Sequence, residues 1–173
     1  MHLCIAGGLC VSNLYKLATD LKISAKLFIV FAISLMYFFI NLPLVAHINK
    51  TNVVTQDKYP NYNLIELLPY AFITIIIAPL VEEFVFRNIP IYILNRFTKK
   101  ESVSLMICLI QSFIFALAHK KYADQNLYTF FFLGVLCWYI AVLLGRQYNI
   151  IFHALYNMLW LLLIVFVLKF GFT

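Results

Sequence analysis

The chain has 173 residues, of which 64% are hydrophobic and only 12% charged, with a mean hydropathy of +0.92 and a net charge of +6. That much apolar surface exceeds what a soluble domain can hide, so the composition describes a polytopic membrane protein. The positive charge is spread over connecting segments, where it acts as a topology signal and as affinity for anionic lipid. No basic run interleaved with aromatics marks a nucleic-acid partner.

Met1 to Val11 is apolar but too short to span, and no basic region precedes it, so it reads as an interfacial helix or the remnant of a longer segment. A bilayer crossing needs about 20 apolar residues. Leu27 to Ala46 supplies the first, without a charge. Leu64 to Leu94 is the second, long and interrupted by Pro69, Pro79 and Pro90. Ser102 to Ala118, Leu127 to Leu144 and Asn149 to Phe172 follow. The expected fold is therefore an all-α transmembrane helical bundle of about five spans plus a short N-terminal helix. It forms one integral-membrane domain over residues 1–173. With five spans, the Lys and Arg distribution favours a cytoplasmic N-terminus. Cys4, Cys10, Cys108 and Cys137 show no CxxC spacing and read as small packing residues, neither disulfides nor zinc ligands.

Glu82 and Glu83 stand in the middle of the second span. An ionised carboxylate at that depth costs several kcal/mol, so two of them point to use rather than accident. On a helix, Glu83 and Arg87 lie four apart in the favourable acid-first order, and the cation offsets part of the cost of burying Glu83. Glu82 turns about 100° away from that pair and has no cation on its own helix. A lone carboxylate in low dielectric suits a group that takes a proton from water. His119 ends the third span, and Ala116 and Ala118 beside it allow close helix approach. His153 and Asn157 lie one turn apart on one face of the fifth span, where two donors aimed at one point can hold an oxyanion. Taken singly, each has a structural alternative: Arg87 snorkelling to headgroups, an interfacial histidine, a polar pair joining helices. Neither HExxH nor GxSxG occurs.

The order Glu-Glu-x-x-x-Arg (Glu82, Glu83, Arg87), Phe-x-x-x-His (Phe115, His119) and His-x-x-x-Asn (His153, Asn157) resembles the CAAX prenyl protease and bacteriocin-processing membrane endopeptidases, the Abi family. Phe131, Phe132 and Gly134 resemble its Phe-rich, Gly-containing fourth segment. The likeness runs from Leu64 to Asn157, roughly half the chain. It implies an intramembrane protease of a prokaryotic plasma membrane, without a prosthetic group, acting on a membrane-associated or lipidated peptide. By the resemblance, Glu82 and His119 position and deprotonate the attacking water, His153 and Asn157 stabilise the oxyanion, and Glu83 and Arg87 organise the site. A metal-dependent form would take Glu82, His119 and His153 as three zinc ligands with an open fourth position. The metal-free form is favoured, because an amide such as Asn157 is a natural oxyanion donor and a poor zinc ligand. The chain departs from the pattern in having few helices before the first motif. It also departs in the residues Gly145 to Phe152, read as a loop before His153.

Two other functions fit the same residues. One is a non-catalytic bacteriocin-immunity or partner-binding protein on the same scaffold. The other is a proton-coupled transporter with Glu82 and the histidines as relay, against which stand only five spans and no duplicated half. The protease needs His119 and His153 to meet although they start near opposite faces. With the third helix running to about Ala123, about 15 Å of depth separates their backbones.

Overall fold

The computed structural model describes residues 4–5, 9–49, 64–97, 101–119 and 127–170. Among these, helices carry the fold. The exception is a minimal antiparallel ladder, β1 (Cys4–Ile5) against β2 (Leu9–Cys10), pairing Cys4 with Cys10 and Ile5 with Leu9. The short N-terminal helix exists but lies one step later than expected. It is α1 (Val11–Asp20), whereas the described residues ahead of it, Cys4–Ile5 and Leu9–Cys10, are strand.

α2 (Ile23–Asn49), a composite helix within 64–97, α6 (Glu101–His119), α7 (Leu127–Leu143) and α8 (Arg146–Phe170) are the five expected crossings. Four contain windows long and apolar enough to span: Ile23–Pro43, Leu67–Phe97, Ser102–His119 and Arg146–Phe166. α7 is apolar throughout, and at 17 residues is about 25 Å long. Large side chains such as Phe28, Phe39, Leu68, Phe84, Tyr92 and Phe132 stay exposed on the outside, as lipid-facing surfaces require. The proposed extension of the third helix to Ala123, together with Lys120 and Lys121, lies outside the described residues.

One core joins α2, α6, α7 and α8 through Val30, Phe38, Phe115, Leu133, Cys137, Phe152 and Tyr156. A second joins the end of the composite helix to α6 and α7 through Ile91, Leu94, Cys108, Trp138 and Ala141. Cys108 and Cys137 are both free thiols within these cores, the packing role expected of them. Two polar side chains in α2 donate to their own helix. Ser34 Oγ donates to the Val30 carbonyl at 2.8 Å and Asn41 Nδ2 to that of Tyr37 at 2.7 Å.

α7 and α8 are joined by two residues, Leu144 and Gly145. The Gly145 N–H reaches back to the Ile140 carbonyl at 3.2 Å, and Gly145 takes φ of 113°, the left-handed geometry that closes a helix and favours glycine. α8 then starts at Arg146. The loop expected over Gly145 to Phe152 is thus corrected: all but Gly145 is helix, because one glycine suffices to turn the chain.

The composite helix runs α3 (Leu64–Phe72), a π turn (Ile73–Ile77), α4 (Ala78–Glu83), a second π turn (Phe84–Asn88) and α5 (Ile89–Phe97). The prolines explain both π turns. The Ala78 N–H bonds to the Ile73 carbonyl, five residues back. Pro79, next in line, has no N–H to offer the Thr74 carbonyl. Eleven residues later the Ile89 N–H bonds to the Phe84 carbonyl, and Pro90 withholds its donor from Val85 in the same way. The helix therefore bends its hydrogen-bond ladder twice without breaking. The segment between the two irregular turns carries Glu82 and Glu83.

Candidate active site

Glu83 is fully buried and is the hub of the interior. Arg87 Nη1, one turn on and equally buried, lies 3.2 Å from Glu83 Oε1. This is the pair the spacing predicts. His153 Nδ1 lies 2.7 Å from the same oxygen, and Asn149 Nδ2 donates to Oε2. Arg87 also donates through Nη2 to the Gly134 carbonyl of α7 at 3.3 Å and lies over the Phe115 ring, 4.4 Å from its centroid. A buried ion pair persists only with further partners around it; α7 and α8 supply hydrogen bonds and α6 an aromatic face, while Arg87 Nε and Nη1 have no hydrogen-bond partner among the described groups.

Glu82 faces away from this hub, as the 100° rotation requires. Its Oε2 lies 3.6 Å from His119 Nε2 and 3.6 Å from His153 Nε2. That oxygen is buried and has no hydrogen-bond partner among the described protein groups. Glu82 and His119 keep 24% and 21% side-chain exposure, whereas His153 keeps 3%, so the first two form the accessible side of the site.

The ring protonation follows from the partners. His119 Nδ1 is 2.8 Å from the Phe115 carbonyl, which can only accept, so Nδ1 carries the proton. His153 Nδ1 faces a carboxylate already engaged by Arg87, so it too is the donor. In the neutral form of either ring, Nε2 is then a lone pair aimed at Glu82 Oε2. With both rings in that form, two nitrogen acceptors lie 3.6 Å from a third acceptor, the carboxylate oxygen, an arrangement that calls for a shared proton donor or a cation between them.

Phe115 explains how the two histidines meet. Its carbonyl folds the His119 ring back along α6, toward the interior of the bundle. Its ring packs 4.3 Å from that of His119 and 6.0 Å from that of His153, centroid to centroid. Phe130 also stacks on His119, at 4.7 Å. His153 is about 10 Å inside the start of α8, deeper than a helix beginning near Tyr148 would place it. Phe115 is wholly buried, and Phe115→Ala is expected to cost about 3–5 kcal/mol of stability. Denaturant unfolding in mixed micelles reads this, and unchanged stability would show that the ring is not the clamp.

Asn157 sits on the same stripe, but its Nδ2 donates to the Thr74 carbonyl at 2.9 Å. This is the carbonyl that Pro79 leaves without a backbone donor, so α8 is pinned to the first π turn at the point where the ladder is interrupted. Asn149 escaped the sequence reading. The signal was present, since Asn149, His153 and Asn157 repeat every four residues along one helix face.

Gly134 holds α7 against α6. A Cβ at this position would lie 2.9 Å from Ser112 Cβ and 3.0 Å from Ser112 Cα. Gly134→Ala is expected to cost about 1–3 kcal/mol by overpacking and to displace the carbonyl that takes Arg87. Ser112→Gly in the same chain should recover part of that loss in thermal unfolding.

As for metal, ligand-type atoms of Glu83, Cys137 and His153 lie within 4.8 Å of one another. Glu83 is already engaged by Arg87, His153 and Asn149, which leaves that trio little to offer a cation. The donor types of Glu82, His119 and His153 suit zinc, and each presents a lone pair.

A family model described as Type II CAAX prenyl endopeptidase Rce1-like matches residues 64–159, from the start of α3 to just past Asn157. No curated protein and no solved structure matches the chain.

Proposed function

Because the chain belongs to the Rce1-like type II CAAX prenyl endopeptidases, an integral-membrane protease family, we propose that it hydrolyses a membrane-associated or lipidated peptide with a water activated by Glu82. The observation that carries this reading is Glu82 Oε2, unpartnered and equidistant at 3.6 Å from two imidazole nitrogens. A water seated there donates to the carboxylate and is oriented by the rings. Glu82 takes its proton as the oxygen attacks the scissile carbonyl. The proton then passes to His153 Nε2. The resulting imidazolium is stabilised at Nδ1 by Glu83, the role an acidic residue plays behind a catalytic histidine. It faces the oxyanion as a donor and afterwards protonates the leaving amine. Asn157 keeps a second amide N–H beyond the one held by Thr74, and in this reading it joins His153 at the oxyanion. His119 holds the water on the accessible side.

We take the water as held by protein groups alone. Cleavage of a C-terminally prenylated peptide in proteoliposomes, measured with and without a zinc chelator, tests both parts. The expected result is a defined peptide product at equal rates in the two conditions. Loss of cleavage on chelation, restored by zinc, would assign Glu82, His119 and His153 to a metal instead. No cleavage of any lipidated or plain membrane peptide, with the scaffold still binding a partner, would favour the non-catalytic function.

A further inference from the structure

Away from the catalytic residues, the opposite end of the bundle holds a second built feature. A cavity of about 550 Å³ opens where α1, the start of α2, the end of α5, the start of α6 and the α7–α8 turn meet. Its polar wall carries Lys26, Arg146, Thr19, Asn95 and Ser104, and its floor is apolar, with Leu94 and Ala141. Ser104 is 15 residues before His119 on α6, about 22 Å along the helix axis. This cavity is therefore not part of the hydrolytic site.

A second cavity, of about 240 Å³, lies beneath α1 between α2 and α7, lined by Leu14, Ala18, Leu21, Ile33 and Leu136. The two share Leu143 and Leu144. A compartment with a cationic, polar wall thus adjoins an almost wholly apolar one at the end of a membrane bundle. Lys26 Nζ lies 5.7 Å from the centroid of the Tyr148 ring and reaches the Thr19 carbonyl only at 3.4 Å. Among the side chains the structure describes, which do not include that of Glu101, no carboxylate lies within ion-pair distance of Lys26 or Arg146. Lys16, Lys22 and Arg96 belong to the same end, where the acidic residues are Asp20 and Glu101. Cations at the rim of an apolar slot match one ligand chemistry: a negative headgroup attached to an acyl chain.

We propose that these adjoining cavities seat an anionic phospholipid, its phosphate between Lys26 and Arg146 and one acyl chain in the slot beneath α1. The lipid fastens the amphipathic α1 to the bundle. Its site is independent of whether Glu82 is catalytic.

Native mass spectrometry of the full chain, released from micelles containing equal phosphatidylglycerol and phosphatidylcholine, reads the preference directly. The wild type is expected to retain phosphatidylglycerol selectively. K26Q/R146Q should weaken that retention about thirty-fold, at the strength typical of two cations at a membrane surface. K26R/R146K, which keeps both charges, should retain it. Equal retention of the two lipids would overturn the proposal. So would undiminished phosphatidylglycerol binding in K26Q/R146Q, or displacement of the lipid by millimolar inorganic phosphate alone. Should K26Q/R146Q fail to fold, the wild type in high salt decides: loss of the preference supports the site, and persistence contradicts it.

Discussion

Glu82→Gln lowers the turnover number by about 10²–10⁴-fold while leaving the protein folded and its substrate bound. Glutamine keeps the shape and one carbonyl acceptor, so the neighbouring imidazoles at 3.6 Å lose none of their own anchors. Those anchors are the Phe115 carbonyl for His119 and Glu83 for His153. What disappears is the capacity to accept a proton from water. The split matters: kcat falls and KM stays within a few-fold. A variant that turns over like wild type would remove Glu82 as the base. One that loses binding and turnover together would make it a structural residue.

The second large effect is on stability. Glu83→Gln and Arg87→Met should each destabilise the fold by about 3–5 kcal/mol, because each strands an opposite charge in a fully buried position. Glu83→Gln leaves the Arg87 guanidinium over the Phe115 ring with neutral acceptors alone, the Gly134 carbonyl and the new carboxamide, and no counter-charge. Arg87→Met leaves Glu83 with only the His153 ring and the Asn149 amide. The two losses come from one shared interaction, so Glu83→Gln/Arg87→Met should cost clearly less than their sum. Unfolding in mixed micelles measures all three. Additive losses would mean that the pair is not the organising contact of the site.

Much of this was legible in the sequence, for a physical reason. Hydropathy reports desolvation, so the five apolar segments and the costly Glu82 and Glu83 stood out, as did the four-residue spacing of Glu83 to Arg87 and of His153 to Asn157. Pro79 and Pro90 were visible as interruptions. A proline can kink, break or widen a helix, and composition does not choose among them. The π turns, and hence the orphaned Thr74 carbonyl that engages Asn157, emerge only from the hydrogen-bond ladder. Gly145 read as part of a longer loop because polar residues follow it. Those residues cover the start of α8, and Asn149 among them turns inward to Glu83. The meeting of His119 and His153 also lay beyond depth arithmetic. That arithmetic places backbones, whereas the gap is closed by a ring folded back onto the Phe115 carbonyl.

The most direct test is a high-resolution experimental structure that resolves what lies between Glu82 Oε2 and the two Nε2 atoms. The expected density is one water, within about 2.7–3.1 Å of the carboxylate and of at least one imidazole. A dense atom at about 2.0–2.1 Å from all three, identified as a metal by anomalous scattering, would contradict the water held by protein groups alone. So would a His119 ring turned away from Glu82 with no solvent at that point.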